Sequence, residues 1–150
     1  MTYDEQTILL VEDNDDDAEL TVRAFRRANV KNPLVRARDG EEALDYLFGR
    51  GAFAGRDTRD LPAVTLLDIN MPKINGLEVL TAIRADERTS HLPVVILTSS
   101  NEDKDRLSAY SHFANSYVIK PVDYDQFVQA ASQLGLYWMV LNSPAPPKQT

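Results

Sequence analysis

Carboxylates, a hydroxyl and a lysine stand in this sequence at places where short apolar runs stop. Glu12 and Asp13 follow ILLV, Asp68 follows AVTLL, Thr98 follows VVIL, and Lys120 with Pro121 follows SYVI. If the runs are parallel strands, these groups converge at the carboxyl edge of one sheet, where open α/β sheets bind ligands. Glu12, Asp13 and Asp68 in one crevice repel one another unless a cation or a proton intervenes. Hard carboxylate oxygens suit Mg²⁺, which also takes water and phosphate oxygens, better than zinc, which prefers nitrogen and sulfur. The Thr98 hydroxyl, the Lys120 ammonium and Mg²⁺ would together surround the oxygens of a phosphoryl group, with Asp68 as the nucleophile that receives it.

Each element alone has a plainer explanation. Acids at the start of the segment after Val11 are favoured at a helix N-terminus, and Asp15 or Asp16 fits an N-cap with Glu19 closing a capping box. Asp68-Ile-Asn-Met-Pro72 reads equally as an Asx turn before proline, and Lys120-Pro121 as an ordinary turn. What separates the sharper reading from these is that the groups recur at four strand ends. A calcium loop beginning at Asp13 fails, because its sixth place is Ala18 rather than Gly and its twelfth is Ala24 rather than Glu. His91 and His112 have no ligand spacing and read as surface or packing residues.

The elements that must position these groups follow from hydrophobic period. Strands are expected over 7–11, 34–37, 63–67, 94–97 and 116–119, several of them apolar on both faces as buried parallel strands must be. Helices are expected over 16–28, 41–48, 76–85, 102–110 and 124–141. The alternation is that of a doubly wound α/β fold. Residues 49–60 form a long Gly-containing connection that does not match a dinucleotide fingerprint and is expected to be mobile surface. The sequence from 143 to 150 holds three prolines and is expected to be an extended, disordered tail.

Composition narrows the function classes. There are 150 residues with no cysteine, so thiolate catalysis, disulfides and Cys-ligated metals are excluded and a reducing cytoplasm is expected. Sixteen Lys and Arg against 23 Asp and Glu leave a formal charge of -7, which disfavours nucleic acid and anionic membranes as partners. The opening residues lack a basic signal-peptide start, and no apolar run is long enough to span a bilayer, so neither leader nor membrane segment is expected.

Taken together, LLVEDN around Glu12 and Asp13, LLDINMPKING around Asp68, ILTSS around Thr98 and IKP around Lys120 resemble the receiver domains of two-component response regulators. The resemblance runs from about residue 6 to 142. It implies a flavodoxin-like, five-stranded parallel sheet in order 2-1-3-4-5, and phosphorylation of Asp68 by a histidine kinase. It implies Mg²⁺ held by Glu12, Asp13, Asp68 and the backbone carbonyl of Asn70, with Thr98 and Lys120 contacting the phosphoryl group. It further implies a switch in which Thr98 and Tyr117 move together, and a cis peptide between Lys120 and Pro121. Nothing resembling an output domain follows, so signalling by protein contact is expected rather than enzymatic turnover. The long 49–60 connection and the LYWMVL ending resemble the stand-alone regulators paired with bacterial phytochromes.

Two other classes remain beside this one. An aspartyl-phosphate phosphatase also uses Asp, Thr or Ser, and Lys, but places its nucleophile near the first strand and its acidic pair last, the reverse of the order here. A constitutive binding module would keep the fold without taking phosphate. In the segment 124–141, Phe127, Ala131, Leu134, Trp138 and Leu141 make one apolar face, while Leu136, Tyr137, Met139 and Val140 fall elsewhere. That excess predicts a homodimer through the final helix.

Overall fold

A computed structural model describes residues 6–27, 30, 32–69, 71, 74–98, 116–120 and 125–126. Five parallel strands, β1 (Ile8–Val11), β2 (Leu34–Ala37), β3 (Val64–Asp68), β4 (Val94–Thr98) and β5 (Ser116–Ile119), lie in the order β2-β1-β3-β4-β5. This is the expected doubly wound receiver topology. The helices described are α1 (Asp15–Arg27), α2 (Gly40–Phe48) and α3 (Gly76–Ala85), with a 3₁₀ turn at Gly51–Phe53. The helix expected over 102–110 and the tail from 143 lie outside the described residues, and of the helix expected over 124–141 only residues 125 and 126 are described, both helical.

Burial explains why these strands are apolar throughout. β1 and β3 are central and wholly buried, whereas β2, at the edge, is only partly so. Side chains alternate across the sheet with period two. Ile8, Leu10, Val64, Leu66, Val95, Leu97 and Val118 therefore share one face with Ala18 and Phe25 of α1. Leu9, Val11, Leu67, Val94 and Ile96 share the other with α2 and α3. Ala18, Thr21 and Phe25 form the buried stripe of α1, and Val79, Leu80 and Ile83 that of α3, each at three- and four-residue spacing.

Helix starts are set by short polar side chains. Asp39 caps α2, accepting from the Glu42 N–H at 2.8 Å. Asn75 and Glu78 form a reciprocal capping box on α3. For α1 the expected cap is corrected: Asn14, not Asp15 or Asp16, accepts the Asp17 N–H at 2.8 Å, and Glu19 pairs with Arg23 instead of closing a box. Strand ends also shift, so that Asp68 and Thr98 are the last residues of β3 and β4 rather than the first beyond them. The 49–60 connection differs from a mobile excursion. Arg56 donates to the carbonyls of Tyr46, Leu47 and Asp60 and lies 4.2 Å from the Tyr46 ring, against which Phe53 packs edge-on.

Candidate functional site

Alternation along the strands decides which polar residues meet. Continuing the face of Ile8 and Leu10 places Glu12 on the α1 side, and Leu66 leads to Asp68 on that same side. Val118 leads likewise to Lys120. The sheet therefore delivers two carboxylates and an ammonium to one face of its carboxyl edge, and α1 starts beside them.

Glu12 and Asp68 are essentially inaccessible, at 0% and 1% exposure, while Asp13 is exposed at the rim. One carboxylate oxygen from each of Glu12, Asp13 and Asp68 lies within 4.8 Å of the others. Lys120 Nζ donates to Glu12 Oε1 and Oε2 at 3.2 and 3.3 Å, to Asp68 Oδ2 at 3.3 Å and to Asp17 Oδ2 at 2.9 Å. Burial opposes the charge on Lys120, but its hydrogen bond to Asp17 and the charges of Asp68 and Glu12 outweigh that and raise its pKa. Glu12 is pushed from 4.5 up to about 8, by burial first and then by the hydrogen bond and charge of Asp68. Lys120 and the Asn14 N–H offset part of this rise.

These residues suit a hard divalent cation. Three carboxylates converge, and the two buried ones cannot both ionise cheaply without added positive charge. Of the other expected site residues, Thr98 ends β4 with its backbone opposite Ile119, and Tyr117 lies in β5 opposite Ile96. Their side chains, Asn70, and Pro121 with its peptide bond lie outside what the structure describes.

Two contributors carry no motif of their own, and a third closes the motif around Asp68. Asp17 supplies the shortest contact to Lys120. Arg36 donates through Nε and Nη2 to the Glu12 carbonyl, at 3.0 and 2.8 Å, and its third nitrogen meets Asp15. Gly76 opens α3 against the backbone of Asp68, where a Cβ would sit 2.4 Å from the Asp68 carbonyl oxygen. A glycine eight residues after an acid at a strand end is the one available sequence signal for that close approach.

The fold, with these groups gathered at its strand edge, suits a signalling receiver domain, and comparison with known proteins agrees. The response regulator receiver domain model matches residues 8–132, and the chain belongs to that family. It is 43% identical over 143 residues to "Probable methanogenesis regulatory protein FilR2" of Methanothrix harundinacea, covering 93% of this chain and 88% of that one. Among solved structures, it resembles the bacteriophytochrome response regulator RtBRR with a TM-score of 0.84 and 47% identity, covering 95% of this chain and 85% of that one. It also resembles the Mn²⁺-bound form of the response regulator Rcp1, with a TM-score of 0.70, 29% identity and coverage of 95% and 99%. No helix among the described residues is long and apolar enough to cross a membrane.

Proposed function

We propose that this protein is a cytoplasmic response regulator that takes a phosphoryl group onto Asp68 from a sensor histidine kinase of the bacteriophytochrome class. It then signals through contacts with other proteins rather than by turning over a substrate. The observation that carries the reading is the gathering of Glu12, Asp13, Asp68 and Lys120 at one strand edge. In the transfer, an Asp68 carboxylate oxygen forms a bond to phosphorus as the phosphorus–nitrogen bond of the kinase phosphohistidine breaks. The bonding pair stays on the imidazole nitrogen.

Glu12, Asp13 and Asp68, with the Asn70 carbonyl, would hold Mg²⁺, which when bound offsets the negative charge of the incoming phosphoryl group. Lys120 supplies a fixed positive charge 3.3 Å from the Asp68 oxygen. Thr98, at the end of β4, would contact a phosphoryl oxygen, and Tyr117 would follow it in the switch. Support for the phytochrome pairing comes from the likeness to RtBRR, and support for the metal from the Mn²⁺-bound Rcp1.

Intact mass after incubation with acetyl phosphate tests the reading. Wild type with Mg²⁺ gains a single phosphoryl group; Asp68→Asn and wild type in EDTA gain none. Absence of an adduct in every sample would instead support a constitutive binding module. The apolar excess of residues 136–141 supports a homodimer, and sedimentation as a monomer at tens of micromolar, with and without phosphorylation, would remove it.

A further inference from the structure

An ammonium has three N–H bonds, and at Lys120 three carboxylates accept them. Two of those acceptors, Glu12 and Asp68, belong to the acidic cluster that suits a divalent cation. A cation seated there competes with Lys120 for the charge of the same two carboxylates and repels it. Asp17 is the third acceptor, lies outside that cluster and makes the shortest contact, at 2.9 Å. It is itself held in place: its N–H donates to Asn14 Oδ1 at 2.8 Å, and its carbonyl accepts from Thr21 Oγ1 at 3.0 Å. Thr21 is buried beneath α1 together with Ala18 and Phe25, so the Asp17 backbone is tied to the packed face of the helix. Its side chain is 33% exposed, open enough to lose without a cavity.

We propose that Asp17 is a positioning residue for phosphoryl transfer, anchoring the Lys120 ammonium beside Asp68 when a divalent cation occupies the other two acceptors. The inference rests on the reading that Asp68 receives the phosphoryl group. Without Asp17 the long lysine side chain has, among the described residues, no anchor outside the metal-holding set, and its charge is lost from the place where phosphoryl oxygens arrive.

The test is the rate of adduct formation with acetyl phosphate and Mg²⁺, followed by intact mass across donor concentrations, in wild type, Asp17→Ala, Asp17→Asn, Lys120→Ala and the double variant Asp17→Ala/Lys120→Ala. Circular dichroism checks that each is folded. Asp17→Ala is expected to lower the saturating rate about tenfold with little change in the half-saturating donor concentration. Asp17→Asn keeps an oxygen acceptor and should stay within about threefold of wild type. Lys120→Ala should still accept the phosphoryl group, more slowly, and adding Asp17→Ala to it should change nothing further, because Asp17 acts through Lys120. Equal slowing by Asp17→Ala in both backgrounds, or no slowing in either, overturns the role of Asp17 and leaves Asp68 as acceptor. No adduct on wild type overturns the reading of Asp68, and this one with it.

Discussion

Among the described residues at the carboxyl edge of the sheet a single ammonium answers Glu12, Asp17 and Asp68, with Asp13 at the rim beside them. Around the end of α2 and the loop that follows it the ratio is different: Arg50 meets Asp45, Arg59 meets Asp57, Arg88, over the Phe48 ring, meets Asp86, and Arg56 serves backbone carbonyls and the Tyr46 ring. One region concentrates unmatched negative charge in a buried place, and the other pairs its charges at the surface. Buried like charges work against folding, whereas guanidinium groups on otherwise orphaned carbonyls work for it. The contrast teaches that the edge gathers the charge excess that the proposed cation site needs, and that the loop spends its charges on holding the chain.

Gly76→Ala should give the largest effect, because it strikes the crevice through its backbone. The new Cβ would fall 2.4 Å from the Asp68 carbonyl oxygen and 2.7 Å from the Ile69 Cα, neither of which is a flexible side-chain end. A loss of about 3 kcal/mol by urea unfolding is expected, together with reduced phosphoryl acceptance as Asp68 is displaced. Unchanged stability would show that α3 slides freely relative to β3, and would detach the crevice from its scaffold.

Arg56→Ala sharpens the comparison from the other side. It removes three donors from carbonyls at the end of α2 and in the loop, and uncovers the Tyr46 ring. About 2 kcal/mol of stability should be lost while the rate of adduct formation stays at its wild-type value. A matching fall in phosphorylation would mean that the loop and the crevice are coupled. The partner substitution Arg59→Ala, on a pair at the surface, should leave the melting temperature where it is.

Much of this layout was legible in the sequence, and what was not has physical reasons. The strands are readable because burial on both faces demands continuous apolar runs, and a polar residue ending such a run marks the sheet edge. Glu12, Asp13, Asp68 and Lys120 are found in that way, and the meeting of Glu12, Asp68 and Lys120 follows from period two, with Asp13, one residue on, at the rim. Asp17 is not found, because its role depends on where α1 crosses the sheet, a packing matter that no local pattern encodes. The cap of α1 is ambiguous for a related reason: Asn14, Asp15, Asp16 and Asp17 are all good capping residues, and only the path of the chain selects Asn14. Arg56 is invisible because backbone carbonyls are the same at every position. The glycines around it suggest looseness, while the arginine supplies the restraint.

The effect most specific to the crevice is on pH dependence without metal. With Glu12 raised from 4.5 to about 8 by burial beside Asp68, the folded protein keeps a proton that the unfolded chain gives up at the lower value. Folded protein then binds more protons than unfolded, so stability is fullest below about pH 4.5 and declines as pH rises toward 8. In EDTA, urea unfolding should show stability falling between pH 5 and pH 8, by at most about 1.4 kcal/mol per pH unit for this one group. The surface acids whose pKa values are lowered by arginines, Asp15, Asp57 and Asp86, titrate below that window and do not contribute to it. Glu12→Gln should flatten the slope, since an amide has no proton to lose. Saturating Mg²⁺ should flatten it too, because a cation among the carboxylates stabilises the ionised folded form and takes the place of the proton. A slope that persists in Glu12→Gln would assign the titration to another group and leave the charge excess at the edge without its expected thermodynamic mark.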